Sequence, residues 1–565
     1  MRRRWLVPLT AAWTVAALVR PVPAAIYTVG SDGACTHPNL LSAILSAALT
    51  PATDEVRLAR NLTYANQQVQ LTNWDPSTTG ALTLSGGYDD CSDATPSGRT
   101  VVDGAPGNPA FRVNASGESL SAVTFRSLEI SGSGVRGLAV QGDCDVELQD
   151  VAVRSNAGGG ISLADGAILT IDASSIISDQ DVGVDGAALH CDASGVELSG
   201  RILGNTTAAL GGGIWADGCV ISLLGGSEIS NNEAFRGGGI YVQGGTFLQG
   251  LGGIAAIELF SNLAIDRGGA VFADGNGTSV RLEATAVAFN EAGETGGGLF
   301  ASNAASITMD RPSGSCGGRR RCSELSRNAL DPTSASGDGV AAAAELGGTV
   351  RLFQTYVESN DFPAVGSSAL RAFDGGAKIV LESVSFWDNF VDRLVEAASG
   401  GRAEMAFVSA SDNGGVIGSP AAPLVVQSGG SASLNSSVFH PSRAIILDPG
   451  VVLDEADCLV FSDLTHLPPG ATRSTATDPL FASPTTGDLR LHPGSPAVDY
   501  CDATAYTPTQ GDGDGEGRGF DLATNPNGSP GVAGGVEDLG FDEVRPLFAD
   551  GFESAGTANW SATSP

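Results

Sequence analysis

The sequence predicts an all-β solenoid in which one chain winds through stacked, parallel turns. The first observation is a recurring phrase, an asparagine followed by a run of glycines and an apolar residue, as after Asn232, Asn262 and Asn290. The second is its spacing: most steps are 22 to 32 residues and one is 38, a period typical of repeat architectures. Equivalent positions are predicted at Asn156, Asn205, Asn328, Asn360, Asn389, Asn413 and Asn435, with Asp179 replacing asparagine once.

The third observation is composition. The chain holds 77 glycines and is 42% hydrophobic, which favours short strands, many turns and a buried core. The repeats leave no room for crossover helices, so successive turns are expected to pair in parallel about 4.8 Å apart. Each turn is expected to carry one strand after the glycines, as in residues 239–243, and another before the asparagine, as in residues 254–260.

The recurring asparagines are predicted to be structural and not to bind a ligand. An asparagine tolerates unusual backbone angles in a tight turn, and its amide can bond to the amide of the next turn. Stacked in this way, the amides satisfy one another. The neighbouring glycines allow the backbone to approach closely at the corner.

The first residues indicate export. Residues 1–25 combine Arg2, Arg3 and Arg4 with an apolar stretch over residues 5–19 and small residues at a cleavage site after Ala24 or Ala25, the pattern of a signal peptide. No later segment is long and apolar enough to predict a transmembrane helix.

Residues 26–110 differ from the repeats and are predicted to form an N-terminal cap with the first turns. Residues 39–49 favour a short amphipathic helix, and residues 55–58, 68–71 and 81–84 alternate apolar and polar side chains as strands do. A solenoid needs an atypical terminal unit to cover its open end. The β-helix repeats are then predicted over residues 111–469.

Nine cysteines follow the cleavage region, and an exported protein meets an oxidising compartment, so disulfides are expected. Spacing does not fix their connectivity. The pairs we expect are Cys35–Cys91, Cys316–Cys322 and Cys458–Cys501, and an odd count leaves one thiol over.

The formal charge of −33 disfavours nucleic acid and anionic lipid as partners. Against this background, Arg319, Arg320 and Arg321 form a basic run in a loop between two cysteines. Insertions in repeat proteins often gather on the binding face, so these arginines are candidate contacts for an anionic glycan. The alternative is a disulfide-tied loop whose arginines pair with neighbouring carboxylates.

Residues 470–565 change character and are predicted to form a less regular, acidic C-terminal module. Asp512, Asp514 and Glu516 alternate with glycines, as the first ligands of a calcium loop do. The glutamate that closes such a loop is absent, and Asp521 is the nearest carboxylate. Ca²⁺ binding and a flexible acidic linker both remain open.

Two stretches resemble known families. Residues 260–264, Phe-Ser-Asn-Leu-Ala, with residues 268–272, Gly-Gly-Ala-Val-Phe, resemble the repeat of polymorphic outer-membrane proteins. That resemblance implies a right-handed parallel β-helix of the pectin-lyase type and a role in adhesion. Residues 478–481, 491–499 and 512–518 are similar to the choice-of-anchor Q module, and residues 549–554 to a terminal tag of exported Gram-negative proteins. These imply secretion or display on the outer-membrane surface.

Sequence motifs typical of polysaccharide-cleaving enzymes are not found in the repeats. Hydrolysis of a polysaccharide needs paired carboxylates on neighbouring turns, yet the Asp-Asp pair of the chain, Asp89–Asp90, lies in the cap. We therefore assign no catalytic residue and expect an adhesive or carbohydrate-contacting protein, whose partner is a polysaccharide or a cell-surface glycan. The alternatives are a polysaccharide lyase or glycoside hydrolase of the same fold and a passive matrix protein. The oligomeric state is not predicted.

Overall fold

The chain winds into a parallel β-helix of stacked turns. The computed structural model describes residues 24–74, 80–115, 121–312, 316, 321–333, 338–362, 364–415, 418–501, 511–514, 518 and 537–544. The predicted signal peptide therefore lies outside the described residues, apart from Ala24 and Ala25. Three parallel sheets, here called sheets 1, 2 and 3, form the sides of the solenoid.

Sheet 1 has 27 strands, because most turns contribute two strands to it. In the later turns these two strands merge into one long strand of up to 10 residues. The strands are Ile26–Val29, Asp54–Ala59, Tyr64–Gln67, Leu82–Tyr88, Thr100–Gly104, Ser121–Arg126, Leu128–Ser131, Cys144–Gln149, Ala152–Arg154, Ile168–Ile171, Ile176–Ser178, Gly195–Leu198, Arg201–Leu203, Val220–Leu224, Glu228–Ser230, Phe247–Leu251, Ile257–Phe260, Ser279–Glu283, Thr285–Ala288, Ser306–Asp310, Ser323–Ser326, Thr349–Glu358, Lys378–Trp387, Arg402–Ser411, Ser431–Phe439, Glu455–Phe461 and Thr475–Ala476.

Sheet 2 has 14 strands, one for each turn, and most follow the glycine run of the repeat. They are Val69–Thr72, Phe111–Asn114, Leu138–Gln141, Ile161–Ala164, Leu189–Asp192, Ile214–Asp217, Ile240–Gln243, Val271–Asp274, Leu299–Ser302, Ala342–Glu345, Ser368–Phe373, Arg393–Ala398, Ala422–Val426 and Ile446–Leu447. Sheet 3 has six two-residue strands: Asp181–Val182, Thr206–Thr207, Glu233–Ala234, Leu263–Ala264, Glu291–Ala292 and Ala329–Leu330.

The core runs along the axis of the helix. In sheet 2 the inward position of successive turns is occupied by Leu163, Cys191, Ala216, Val242 and Ala273, which are register partners and fully buried. Side chains alternate between the two faces of a strand, so the neighbouring positions point outward. The outward positions of sheet 2 are free to carry function.

The asparagine ladder is confirmed at the corner between sheets 1 and 3. From Asn205 to Asn389, each Nδ2 donates to the Oδ1 of the next asparagine at 2.8–3.1 Å. Each backbone N–H along the same run donates to that same oxygen. The asparagines are buried, so the ladder satisfies polar groups that would otherwise be costly to bury.

Three details of the asparagine prediction were wrong. Gln180, not Asp179, enters the ladder, because the longer side chain of Gln180 places its amide oxygen 2.9 Å from the backbone nitrogen of Asn156. Asn435 lies inside the long strand Ser431–Phe439 and donates to Glu455 instead. The left-handed backbone also belongs to the residue before each asparagine, such as Phe289 with φ 57°, so the asparagines supply only the amides.

The N-terminal elements are confirmed. The helix spans Leu40–Ala47, and the side chain of Asn39 caps it by accepting a hydrogen bond from the backbone N–H of Ser42. The buried face of this helix, Leu40, Ala43, Ile44 and Ala47, joins the core at the end of the solenoid. No helix among the described residues is long and apolar enough to span a membrane.

The structure forms four disulfides in the described chain. Three are the predicted pairs Cys35–Cys91, Cys316–Cys322 and Cys458–Cys501. The fourth, Cys191–Cys219, was not predicted, because it links residues 28 apart that meet only when the turn closes. Cys144 is the thiol left over, and it is buried.

The C-terminal segments pack on the outer face of sheet 1. Each long strand there contains one residue with a left-handed backbone, and these residues stack into a column: Gln354, Ser383, Phe407, Ser436 and Cys458. The side chain of Gln354 donates to the carbonyl of Asp512 at 2.7 Å, and Ser383 donates to the carbonyl of Gly511 at 2.9 Å. Cys458 forms a disulfide with Cys501. The strands Phe481–Ser483 and Asp488–Leu491 form an antiparallel hairpin on either side of the turn Pro484–Thr486. That turn is a 3-10 helix, as is Leu464–His466.

Candidate functional site

A row of outward side chains runs along the middle of sheet 2 and is here called the central row. Its members are register partners on successive strands, and they change in character from one end to the other. In chain order they are Arg112, Ala139, Ser162, His190, Trp215, Tyr241, Phe272 and Phe300.

The aromatic members make ring contacts in two groups, His190 with Trp215 and Tyr241 with Phe272 and Phe300. The rings of His190 and Trp215 lie 4.3 Å apart and nearly parallel, at 13°. The centroids of Tyr241 and Phe272 are 5.1 Å apart, and those of Phe272 and Phe300 are 4.9 Å apart. Offset stacks of this kind add stability beyond the area that they bury.

The later half of the central row, from Tyr241 to Phe300, is shielded from solvent. Tyr241, Phe272 and Phe300 are buried and pack against one another, and arginines from the preceding corner lie over Phe272 and Phe300. The guanidinium of Arg236 lies 5.6 Å from the ring centroid of Phe272, and that of Arg267 lies 5.4 Å from Phe300. These arginines also pair with carboxylates: Arg236 pairs with Asp266. Arg267 lies 2.8 Å from Glu345, 3.3 Å from Glu294 and 3.5 Å from Asp266.

Carboxylates border the central row at the last position of several strands. Asp192 and Asp217 are register partners on adjacent strands. Asp217 accepts a hydrogen bond from Gln243 at 3.0 Å. Asp274 accepts one from the hydroxyl of Tyr241 at 3.1 Å, and burial, followed by the charge of Asp274, raises the pKa of Tyr241.

The earlier half of the central row is open. A cavity of about 290 Å³ lies over it where the outward side chains are small. Ala139, Ser162 and Ala164 line its floor, and Arg112, Arg136 and Gln141 supply polar groups. None of the described lining residues carries a carboxylate. His190 is the next member of the row after Ser162, so the stacked pair of His190 and Trp215 begins where this cavity ends.

Arg136 supports this end of the site. Its guanidinium donates to the backbone carbonyls of Gly186 and Asp185, which fixes the corner before His190. Burial lowers the pKa of Arg136 to about 10. Burial also lowers the pKa of His190, and the charge of Arg136 lowers it further. At neutral pH His190 is therefore an uncharged ring that extends the aromatic surface.

The predicted arginine site is only partly visible. Arg319 and Arg320 lie outside the described residues. Arg321 forms an ion pair with Glu358, and its guanidinium lies 5.6 Å from the ring of Tyr356 and 5.8 Å from that of Trp387. Burial raises the pKa of Glu358 to about 7 despite this arginine. For Arg321 these contacts match the structural alternative, and glycan binding by the loop stays a prediction.

The predicted calcium site is also partly visible, because Glu516 and Asp521 lie outside the described residues. Asp512 is buried, whereas Asp514 lies 3.8 Å from the guanidinium of Arg311. Asp542 lies close to both, and burial together with their charges raises its pKa to about 8.

These carboxylates do not form a closed ligand set among the described residues. The one described group with three potential ligand atoms within 4.8 Å of one another is Asp32 with Cys35 and Cys91. Its two sulfurs form a disulfide, so it is not a metal site. Calcium binding by the C-terminal module stays a prediction.

The central row was missed by sequence reasoning, although the sequence carries a signal for it. In four consecutive repeats the third residue after the second glycine is aromatic: Trp215, Tyr241, Phe272 and Phe300. The residue before each of these points into the core, so the aromatic one must point outward. A recurring outward aromatic is unexpected for a solvated strand.

One comparison with known proteins, a family model, agrees with this architecture. A family model described as "Right handed beta helix region" matches residues 110–311. A solved structure titled "Crystal structure of pectate lyase Pel9A" aligns with 93% of this chain and 98% of its own at 12% sequence identity, with a TM-score of 0.27. A search of curated proteins finds no match.

The family match gives the hand of the coil. The chain is an all-β, right-handed parallel β-helix, which confirms the fold class predicted from the repeat. A TM-score as low as 0.27 carries no information on substrate or reaction, and fold in general does not fix function.

Proposed function

We propose that this protein is exported and binds polysaccharide at the open end of the central row, as a cell-surface or secreted adhesive protein. The single observation that supports this most strongly is the cavity of about 290 Å³ beside the stacked rings of His190 and Trp215. Sugar rings present an apolar face and a polar edge. The stacked pair offers an apolar surface, and Arg112, Gln141 and Ser162 in the adjoining cavity offer polar groups.

Three features support export. Residues 1–25 carry the pattern of a signal peptide. The described chain contains four disulfides, which persist in oxidising compartments. The likeness of the repeats to polymorphic outer-membrane proteins, and of residues 478–518 to the choice-of-anchor Q module, is in keeping with display on the surface of a Gram-negative bacterium.

A glycan array probed with the full chain tests this function, and a cavity-filling variant locates the site. Ser162→Trp fills the cavity without touching the core, because Ser162 faces outward. The matched control is Thr170→Trp, which places the same side chain on the outer face of sheet 1 in the same turn. We expect Ser162→Trp alone to lose binding. Equal binding by both variants, or no binding by the unaltered protein, would contradict the proposal.

A second candidate function, cleavage of the bound polysaccharide, has one observation in its favour. Asp192 and Asp217 lie in register on adjacent strands beside His190 and Trp215. Adjacent strands are about 4.8 Å apart, and glycoside hydrolases that retain configuration hold two carboxyl groups about 5–5.5 Å apart. Two carboxylates at this spacing are the minimum for such chemistry.

Product analysis separates binding from cleavage. The full chain is incubated with each glycan that it binds, and new reducing ends and unsaturated sugars are measured. We expect neither from an adhesive protein. Turnover that disappears in both Asp192→Asn and Asp217→Asn, with binding retained, would establish the hydrolase in place of the adhesin.

A further inference from the structure

The cavity over the central row is a positively charged spot on a strongly acidic protein. The chain has 63 acidic residues against 30 basic ones, and most described arginines pair with a carboxylate. Arg112 is an exception, because its side chain forms no hydrogen bond or ion pair with any described residue. Arg136, across the cavity, donates to the backbone carbonyls of Gly186 and Asp185, and the Asp185 carboxylate lies near its charge. The guanidinium charge of Arg112 is therefore the one available to a ligand.

No described lining residue offsets these charges, since the remaining polar groups of the cavity are the amide of Gln141 and the hydroxyl of Ser162. The amide of Gln141 donates to Asp165 at 2.8 Å, outside the cavity lining. A guanidinium without a carboxylate partner binds an oxyanion well, because its N–H groups match two oxygens at once. The volume of about 290 Å³ lies at the low end for ligand pockets and suits a single ring.

Beyond the cavity the charge reverses. Asp192 and Asp217 border the row beside His190 and Trp215, and Asp274 follows two strands further along the sheet. These carboxylates repel a second anionic group on the same ligand. A polymer with a charge on every sugar is therefore disfavoured along this surface, whereas neutral sugars can lie over the aromatic pair.

We propose that the cavity binds one acidic sugar residue, whose carboxylate or sulfate group contacts Arg112, within a glycan whose neighbouring sugars are neutral. This rests on the proposed function, since it names the glycan class of the same site. Arg112 supplies the charge, and Arg136 holds the wall of the cavity through Asp185 and Gly186.

The test compares four probes by calorimetry on the full chain. The first is a neutral oligosaccharide carrying one glucuronate, and the second is the methyl ester of that oligosaccharide, which has the same shape without the charge. The third carries one sulfate in place of the glucuronate. The fourth is an oligogalacturonate with a charge on every ring. We expect the first or the third to bind about tenfold or more tightly than the ester, and the oligogalacturonate to bind more weakly than either.

The variant Arg112→Gln tests whether Arg112 contacts the anionic group of the ligand. We expect this variant to bind the charged probe no more tightly than the ester, while its affinity for the ester is unchanged. Arg201→Gln is the matched control, because Arg201 lies exposed on sheet 1, with no side-chain partner among the described residues. Thermal unfolding of both variants checks that the fold is kept.

Each outcome separates this inference from the function on which it rests. Equal affinity for the charged probe and its ester would overturn the acidic-sugar assignment and leave polysaccharide binding intact. If the oligogalacturonate bound most tightly, the proposal that the acidic sugar is flanked by neutral sugars would be overturned. Binding of none of the four probes, together with a blank glycan array, would overturn the proposed function itself.

Discussion

Replacing Asn262 by alanine removes one step of the asparagine ladder and tests what holds the solenoid together. The Nδ2 of Asn262 donates to the carbonyl of Ile229 at 2.9 Å and to the Oδ1 of Asn290 at 3.0 Å. Its Oδ1 accepts from the backbone N–H of Asn232 at 3.2 Å and from the Nδ2 of Asn232 at 3.0 Å. Alanine can replace none of these contacts.

The magnitude follows from the number of bonds and from burial. Asn262 is only 1% exposed, so water cannot reach the groups that lose their partners. Each hydrogen bond contributes about 1 kcal/mol net, and a group left unsatisfied in a buried site costs about as much or more. Loss of the four bonds should therefore lower the free energy of unfolding by about 3–5 kcal/mol.

The loss should also be local, because each turn of a solenoid contacts only its neighbours. Urea unfolding measures its size, and hydrogen exchange should show reduced protection over residues 229–290 while the distant turns are unchanged. Asn276→Ala is the control, since Asn276 is an exposed asparagine in a neighbouring loop. If Asn262→Ala cost no more than Asn276→Ala, the ladder would not be a source of stability.

Three further predictions concern the corners and the C-terminal segments. Gly269→Ala should lower the free energy of unfolding by about 2 kcal/mol or more, because an added Cβ would lie 2.1 Å from the carbonyl oxygen of Gly297. Gly253→Ala is the control, since a Cβ there meets nothing within 4 Å. Equal urea midpoints for the two variants would contradict this prediction. Burial raises the pKa of Asp542 to about 8, so the folded protein holds a proton on this carboxyl that the unfolded chain releases at lower pH. The resulting contribution to folding stability is present at low pH and is lost as pH rises through about 8. Thermal unfolding should show a loss of about 3 kcal/mol between pH 5 and pH 8, and Asp542→Asn should flatten that dependence. Titrating Ca²⁺ into the full chain should release heat that Asp512→Asn abolishes, and a null titration would remove the calcium prediction.

The fold could be predicted from the sequence because its cause is periodic. A ladder amide must recur once per turn, so the spacing of asparagines reports the length of each turn directly. The errors occurred at positions where the length or setting of a side chain, and not the spacing, determines whether it joins the ladder. Gln180 reaches the ladder from one position further on than Asp179, and Asn435 has a suitable spacing but lies within a continuous strand.

The candidate site was harder to predict because it depends on what successive turns place beside one another. The cavity exists because Ala139 and Ser162 are small in two adjacent turns, between Arg112 and His190. No local pattern marks two small residues as a cavity, since small residues are common in strands and turns alike. The predicted arginine and calcium sites came instead from patterns visible within one segment, a run of three arginines and carboxylates that alternate with glycines.

The two halves of the central row show how a single scaffold can be both structural and functional. The outward position is the same in every turn, and its backbone is held by sheet pairing and the ladder, so its side chain is not required for the coil. Where that side chain is a phenyl ring covered by an arginine, as at Phe300 and Arg267, it adds stability and leaves no surface for a ligand. Where it is small, the same position opens into a cavity and exposes Arg112. A change of ligand in this β-helix therefore requires changes at the outward positions only, and the core and the ladder can stay as they are.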